Sequence, residues 1–202
     1  MPRMMIKDMK VALKEMEPLV REPDFLRTGR EFTNFSLRPR EAWANWILCS
    51  VLQKLHGDHI TFVEDEQTDG YILDKKTGEV IPTEHVSALE NEHNPQPSGE
   101  ERIINAINKK INKGKEYAAG KWLVVFFDGA GEFYRNKIGE NIKGRHHFGA
   151  IYCIGLLESP EESYDYYEYI VTEFLDSRDA SLSFKVRINP DFTDWEISQI
   201  KG

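Results

Sequence analysis

The run Lys121–Asp128, KWLVVFFD, restricts the fold of this chain more than any other segment. It is apolar without alternation, the pattern of a strand covered on both faces rather than solvated on one. A sheet containing it needs apolar layers on both sides, and the preceding residues can provide them. From Pro39 to His56-Gly57 the pattern predicts a helix whose broad apolar face is Trp43, Trp46, Ile47, Val51, Leu52 and Leu55. Pro39 suits an early helical position, where a missing N–H is tolerated. HITFVED (59–65), DGYIL (69–73) and EVIPTEHVSAL (79–89) read as three consecutive strands, the last two joined by the Gly-bearing turn KKTGE. After a polar loop over 90–99, Ser98 and Glu101 are spaced as a capping box. The helix they open carries Ile103, Ile104, Ile107 and Ile111 on one face and is expected to end near Gly114 or Gly120. Residues 39–128 therefore run helix, three strands, helix, strand.

On either side the pattern is looser. Met5, Met9, Ala12, Leu13 and Met16 form a helical stripe bounded by Pro18 and Pro23. GEFYRNKIGENIKG reads as a short helix or loop, and FGAIYCIGLLE (148–158) as a strand. SPEESYDYYEYIVTEFLD combines a helix-start sequence with strand-forming Tyr, Ile, Val and Thr, and we take it as a strand. SLSFKVRI (181–188) adds another, and DFTDWEISQI follows it. The expectation is an α/β (α+β) fold with an N-terminal helical arm (1–35), a core (36–130) and a β-rich C-terminal extension (131–202) packed on the same domain.

Hydrophobic residues at 40% and aromatic residues at 11% suffice for a packed interior. No apolar run approaches the roughly 20 residues that span a bilayer. The opening MPRMMIKDMKVALKEME is charged at almost every turn and does not read as a signal peptide. Cys49 and Cys153 lie in segments that look buried, so no disulfide framework and a cytoplasmic location are expected. The net charge of −8 argues against a generic nucleic-acid coat, since phosphate contacts need cations. Its distribution is uneven: residues 99–145 hold ten Lys/Arg against six Asp/Glu, whereas residues 46–98 hold three against ten.

Within the acidic stretch, Asp69 opens one strand of the hairpin and Glu84 interrupts the other. Two carboxylates at the ends of neighbouring strands suit a hard divalent cation that orients a phosphodiester and activates water. Solvated hairpin acids would give the same spacing. The order αβββαβ, with an acid before the second strand and another in the third, resembles the PD-(D/E)XK nuclease superfamily, a restriction-endonuclease-like fold. Thr68-Asp69-Gly70 stands where that family has Pro-Asp, and Glu84-His85-Val86 where it has Glu-x-Lys. The resemblance covers about residues 36–128. It implies a mixed central sheet flanked by helices, one or two Mg²⁺ (or Mn²⁺) ions held by Asp69 and Glu84, and hydrolysis of nucleic acid, with DNA as the expected substrate.

One residue departs from the pattern. Val86 occupies the lysine position, and strand alternation points His85 to the opposite face from Glu84. Either the chemistry is lost or the cation comes from elsewhere, and Lys110 lies about 20° from the apolar stripe of its helix. Some members of the superfamily supply the lysine from that helix, so Lys110 is the candidate for a relocated one; a lysine snorkelling at the helix edge is the alternative. Glu41 shares a face with Leu48, Leu52 and Leu55 and resembles the first-helix Glu that often stands near the metal, although first-turn acids also favour the helix dipole. Asp69, Glu84, Lys110 and Glu41 are thus the candidate catalytic residues.

Other groups carry less. Arg145-His146-His147 could touch phosphate or metal, but adjacent strand histidines diverge. Glu64-Asp65-Glu66 reads as a solvated turn and Lys75-Lys76 as a hairpin tip. Tyr164, Tyr166, Tyr167 and Tyr169 could stack bases, yet acidic neighbours favour core, or a homodimer or partner-protein interface. Cys49 reads as core. No P-loop, dinucleotide fingerprint, nucleophile elbow or zinc spacing is present. The competing functional expectation is a catalytically inactive nuclease-fold protein serving as a binding or interaction module.

Overall fold

The computed structural model describes residues 5–22, 26, 39–64, 69–89, 98–127, 133–160 and 165–200. The strands are β1 (Met5–Ile6), β2 (Ile60–Glu64), β3 (Tyr71–Asp74), β4 (Val80–Ala88), β5 (Trp122–Phe127), β6 (Ala150–Glu158), β7 (Tyr167–Phe174), β8 (Leu182–Ile188) and β9 (Trp195–Ile200). The helices are α1 (Met9–Arg21), α2 (Pro39–His56), α3 (Gly99–Ile111), α4 (Lys115–Ala118) and α5 (Arg135–Ile142). Among the described residues these nine strands join one sheet in chain order. Pairing is antiparallel from β1 to β4, parallel across β4–β5–β6, and antiparallel again from β6 to β9. The parallel pairs follow from the connections, because such neighbours need a crossover and α3, α4 and α5 occupy the two crossovers. The chain is thus a mixed α+β fold, and the sheet continues from β1 of the arm through to β9 of the extension.

The run 121–128 behaves as its composition requires. Val124 and Phe126 face α1 and α2, while Leu123, Val125 and Phe127 face α3 and α5. Each such buried side chain contributes about 1.5–3 kcal/mol, so this strand ties the two apolar layers together. Helix α2 is enclosed: every residue from Ala42 to Leu52 is buried. It touches β2, β3 and each strand from β5 to β9, so the sheet curls around it. Trp43 and Trp46 stack at 5.1 Å between ring centroids. Trp43 meets Tyr169 of β7 edge-on at 5.6 Å, and Trp46 meets Trp195 of β9 at 5.1 Å.

Several local expectations are corrected. Pro18 does not bound α1 but lies inside it, because burial of Leu19 and Val20 outweighs the one hydrogen bond a proline removes. Asp8 caps that helix, and Met5 belongs to β1 rather than the helical stripe. Pro23 lies outside the described residues. Leu55 is 45% exposed, beyond the point where the sheet covers α2. The capping box at Ser98 and Glu101 forms as read, but α3 ends at Ile111, and Gly114, at φ +92°, turns the chain into α4. Glu64 is not solvated: it is fully buried and pairs with Lys7 at 3.3 Å, while Asp65 and Glu66 lie outside the described residues. Arg145-His146-His147 follow α5 in a turn rather than a strand, and His146 is buried against Asp176 at 3.1 Å. Tyr167 and Tyr169 belong to the core, Tyr166 is half-buried, and Tyr164 lies outside the described residues. Cys49 and Cys153 are free and buried, and desolvation pushes both thiols up. Among the described residues, no helix is long and apolar enough to cross a membrane.

Candidate functional site

The β3–β4 ladder ends at the pair Tyr71 and Pro82. Pro82 is tolerated there because β4 begins pairing with β5 only at Thr83. Beyond the end of the ladder, Asp69 takes the place of a strand partner. Gly70 adopts φ +112°, which other residues reach only with strain, and the turn carries the Asp69 carboxylate over β4. Oδ2 of Asp69 accepts the His85 backbone N–H at 2.8 Å. The backbone carbonyl of Asp69 accepts the Asn45 amide at 3.0 Å and the Thr83 hydroxyl at 3.3 Å. Asn45 is fully buried on α2, and its other atom, Oδ1, faces the His85 ring nitrogen Nε2 at 3.1 Å. With its amide committed to Asp69, Asn45 presents only an acceptor to the ring, so His85 carries its proton on Nε2. Burial, then the positive charges of Arg40 and Lys110, lower the His85 pKa to about 3, so the ring is neutral.

Glu84 points the other way, toward α3. The Lys110 ammonium donates to Glu84 Oε1, and Lys121, which precedes β5, lies 3.8 Å from Oε2. Burial raises the Glu84 pKa, but hydrogen bonds from Lys110 and Tyr117 and the charges of Lys110 and Lys121 reverse it, and the carboxyl sits below its ordinary value. Tyr117 of α4 completes the group. Its hydroxyl receives Lys113 Nζ at 3.1 Å and Lys110 Nζ at 3.4 Å. Desolvation, then Glu84 and Asp69, push the phenol well up, so it stays protonated and donates to Glu84. Both carboxylates therefore act on one hydroxyl.

Of the four candidates, the fold brings Asp69, Glu84 and Lys110 into one neighbourhood. Val86 instead packs with the apolar layer around α3. Glu41 stands in the first turn of α2, one turn before Asn45. Among the described residues no group of three or more His, Cys, Asp or Glu is placed to hold a metal ion. Oδ1 of Asp69 accepts no hydrogen bond from the described residues. Two carboxylates suit Mg²⁺, which is commonly held by one or two carboxylates with water and phosphate oxygens filling the rest.

Lys121, Tyr117 and Asn45 escaped the sequence reading. Alternation along β5 did contain a signal for Lys121, since it shares a face with Leu123, the residue opposite Glu84. Tyr117 sits in a four-residue helix too short to show periodicity. Asn45 was lost in the stretch from Ala42 to Leu52, where every position is buried.

No family model matches the chain, and no curated protein matches it in sequence. Among solved structures, the central domain of yeast acetyl-CoA carboxylase is similar with a TM-score of 0.35 and 6% identity. That match covers 72% of this chain and 23% of the other, so this chain spans less than a quarter of that protein's length. A likeness at that score says nothing about activity.

Proposed function

We propose that this chain is a PD-(D/E)XK-like, Mg²⁺-dependent phosphodiesterase that cleaves nucleic acid, with DNA as the expected substrate. The reading rests chiefly on the Lys110 ammonium bonded to Glu84, close to Asp69, in an αβββαβ setting. It supports a lysine delivered from α3 in place of the one Val86 does not provide. Asp69 and Glu84 would hold Mg²⁺ or Mn²⁺, which when bound supplies Lewis-acid stabilisation of the phosphate and a more acidic water. Lys110 neutralises Glu84 and can donate to the attacking water or to a phosphate oxygen. Lys121 offsets the second Glu84 oxygen. Asn45 and the His85 backbone hold Asp69 in position before substrate binds.

The decisive experiment incubates plasmid and linear DNA with the protein in Mg²⁺. Asp69→Ala and Glu84→Ala should each abolish cleavage while circular dichroism stays unchanged. Undiminished cleavage in both would remove the proposal. A second reading, an inactive binding module on this scaffold, is favoured by the two ammonium groups already engaged with Glu84. Calorimetric titration separates the two, since an inactive module need not take up Mg²⁺ or Mn²⁺.

A further inference from the structure

Around Tyr117 the structure gathers more positive charge than Glu84 can balance. Lys113 Nζ and Lys121 Nζ each lie 4.3 Å from the centroid of the Tyr117 ring. The Tyr117 hydroxyl in turn receives Lys113 and Lys110. Three ammonium groups thus surround one phenol, and two of them share the Glu84 carboxylate. Lys110 and Lys121 have Glu84, but among the described residues Lys113 has no carboxylate partner. Among the described residues its charge is held in place by a ring and a hydroxyl. Lys121 is 31% exposed, and Lys113 is at the surface beyond the end of α3.

Like charges confined together repel, and the pairing of ammonium with an aromatic face offsets part of that while leaving the charge uncancelled. An arrangement of this kind in a protein of net charge −8 forms a local positive field. The geometry points to a phosphate-binding cradle: Lys113 and Lys121, positioned by Tyr117, grip a backbone phosphate of a nucleic acid lying across the Glu84 site. This rests on the nucleic-acid reading above and names the residues that would hold the chain beside the reacting phosphate. Lys113 and Lys121 would contact the substrate, whereas Tyr117 is a positioning residue. Its ring keeps the two ammonium groups together, and its hydroxyl fixes Lys113 and Lys110 relative to Glu84.

The test is metal-free binding of a fluorescein-labelled DNA duplex, followed by anisotropy in EDTA over a series of KCl concentrations. Each phosphate contact contributes about 0.9 to the slope of log K against log salt. Lys113→Ala and Lys121→Ala should each lower the slope by about that amount, with Lys113→Arg retaining it. Lys54→Ala, at the far end of α2, should leave it unchanged. Tyr117→Leu, which removes ring and hydroxyl, should weaken binding as much as Lys113→Ala, while Tyr117→Phe should weaken it less. Circular dichroism on every variant separates loss of the cradle from loss of the fold. Slopes that do not move for Lys113→Ala and Lys121→Ala, or an absence of duplex binding by the unsubstituted protein at roughly 50 mM salt, would overturn the inference. Because no metal is present, failure of cleavage leaves these slopes informative, and unmoved slopes leave the cleavage test standing.

Discussion

Asn45 shows how one side chain can set two others. Its amide and carbonyl both have partners, one on the Asp69 backbone and one on the His85 ring. Asn45→Ala removes both contacts at a fully buried position, and a buried group left unsatisfied typically costs about 1–3 kcal/mol. We expect urea denaturation to show a loss of that size. The proton on His85 is then no longer held at Nε2, and Asp69 loses the brace on its backbone. Under the nuclease reading, cleavage falls without the complete loss expected for Asp69→Ala, and metal affinity measured by calorimetry weakens.

At the scale of elements, β5 and β6 approach closely at Gly155. Gly155 pairs directly with Phe127, and a methyl group added at Gly155 would overlap the Phe127 ring. Phe127 cannot easily withdraw, because its other side meets Phe133 edge-on at 5.1 Å. Gly155→Ala should destabilise by about 1–3 kcal/mol, the usual range for overpacking, and Phe127→Leu in the same chain should recover part of it. Thermal melts of the two single variants and the double variant measure this. The same strands show why much of the fold was legible. A run such as WLVVFF cannot be satisfied by one apolar layer, and β3, β4 and α3 announced themselves through turn glycines and a capping box. Features decided by distant partners were not legible. Glu64 reads as a turn acid until Lys7 of another segment is placed beside it, and Pro18 reads as a stop until the surface that buries Leu19 and Val20 is known. In the site, Lys110 could be found because one face of one helix carries the information. Lys121 and Tyr117 matter only through the register of β5 against β4 and the turn at Gly114.

For the whole molecule, charge on the extension contributes to the response to acid. Glu168 on β7 is buried, with Lys185 at 2.6 Å and Arg187 at 3.0 Å, both from β8. Burial alone would raise its pKa, but the hydrogen bonds and charges of Lys185 and Arg187 bring it below the ordinary carboxylate value. The group therefore binds a proton more readily when unfolded. Its stabilisation is complete above the unfolded pKa and disappears as pH falls through the lowered folded value. Glu168→Gln should cost about 1.5–3 kcal/mol near neutral pH, as for hydrogen bonds to a charged group, and the deficit should shrink on acidification below about pH 4. Melting temperatures of the two proteins, compared from neutral pH to pH 3, report it as converging curves.

The enclosure of α2 bears on how this polypeptide can be divided. Trp43 leans on Tyr169, and Trp46 on Trp195, more than a hundred positions later in the chain. Residues 36–130 alone would leave both indoles uncovered, so that excised half should associate with itself or bind a dye such as ANS instead of standing alone. Synthesis from the N-terminus must likewise wait for its last strands before the tryptophans are shielded. The half that holds the acids and Lys110 depends for its shape on the half that holds none of them.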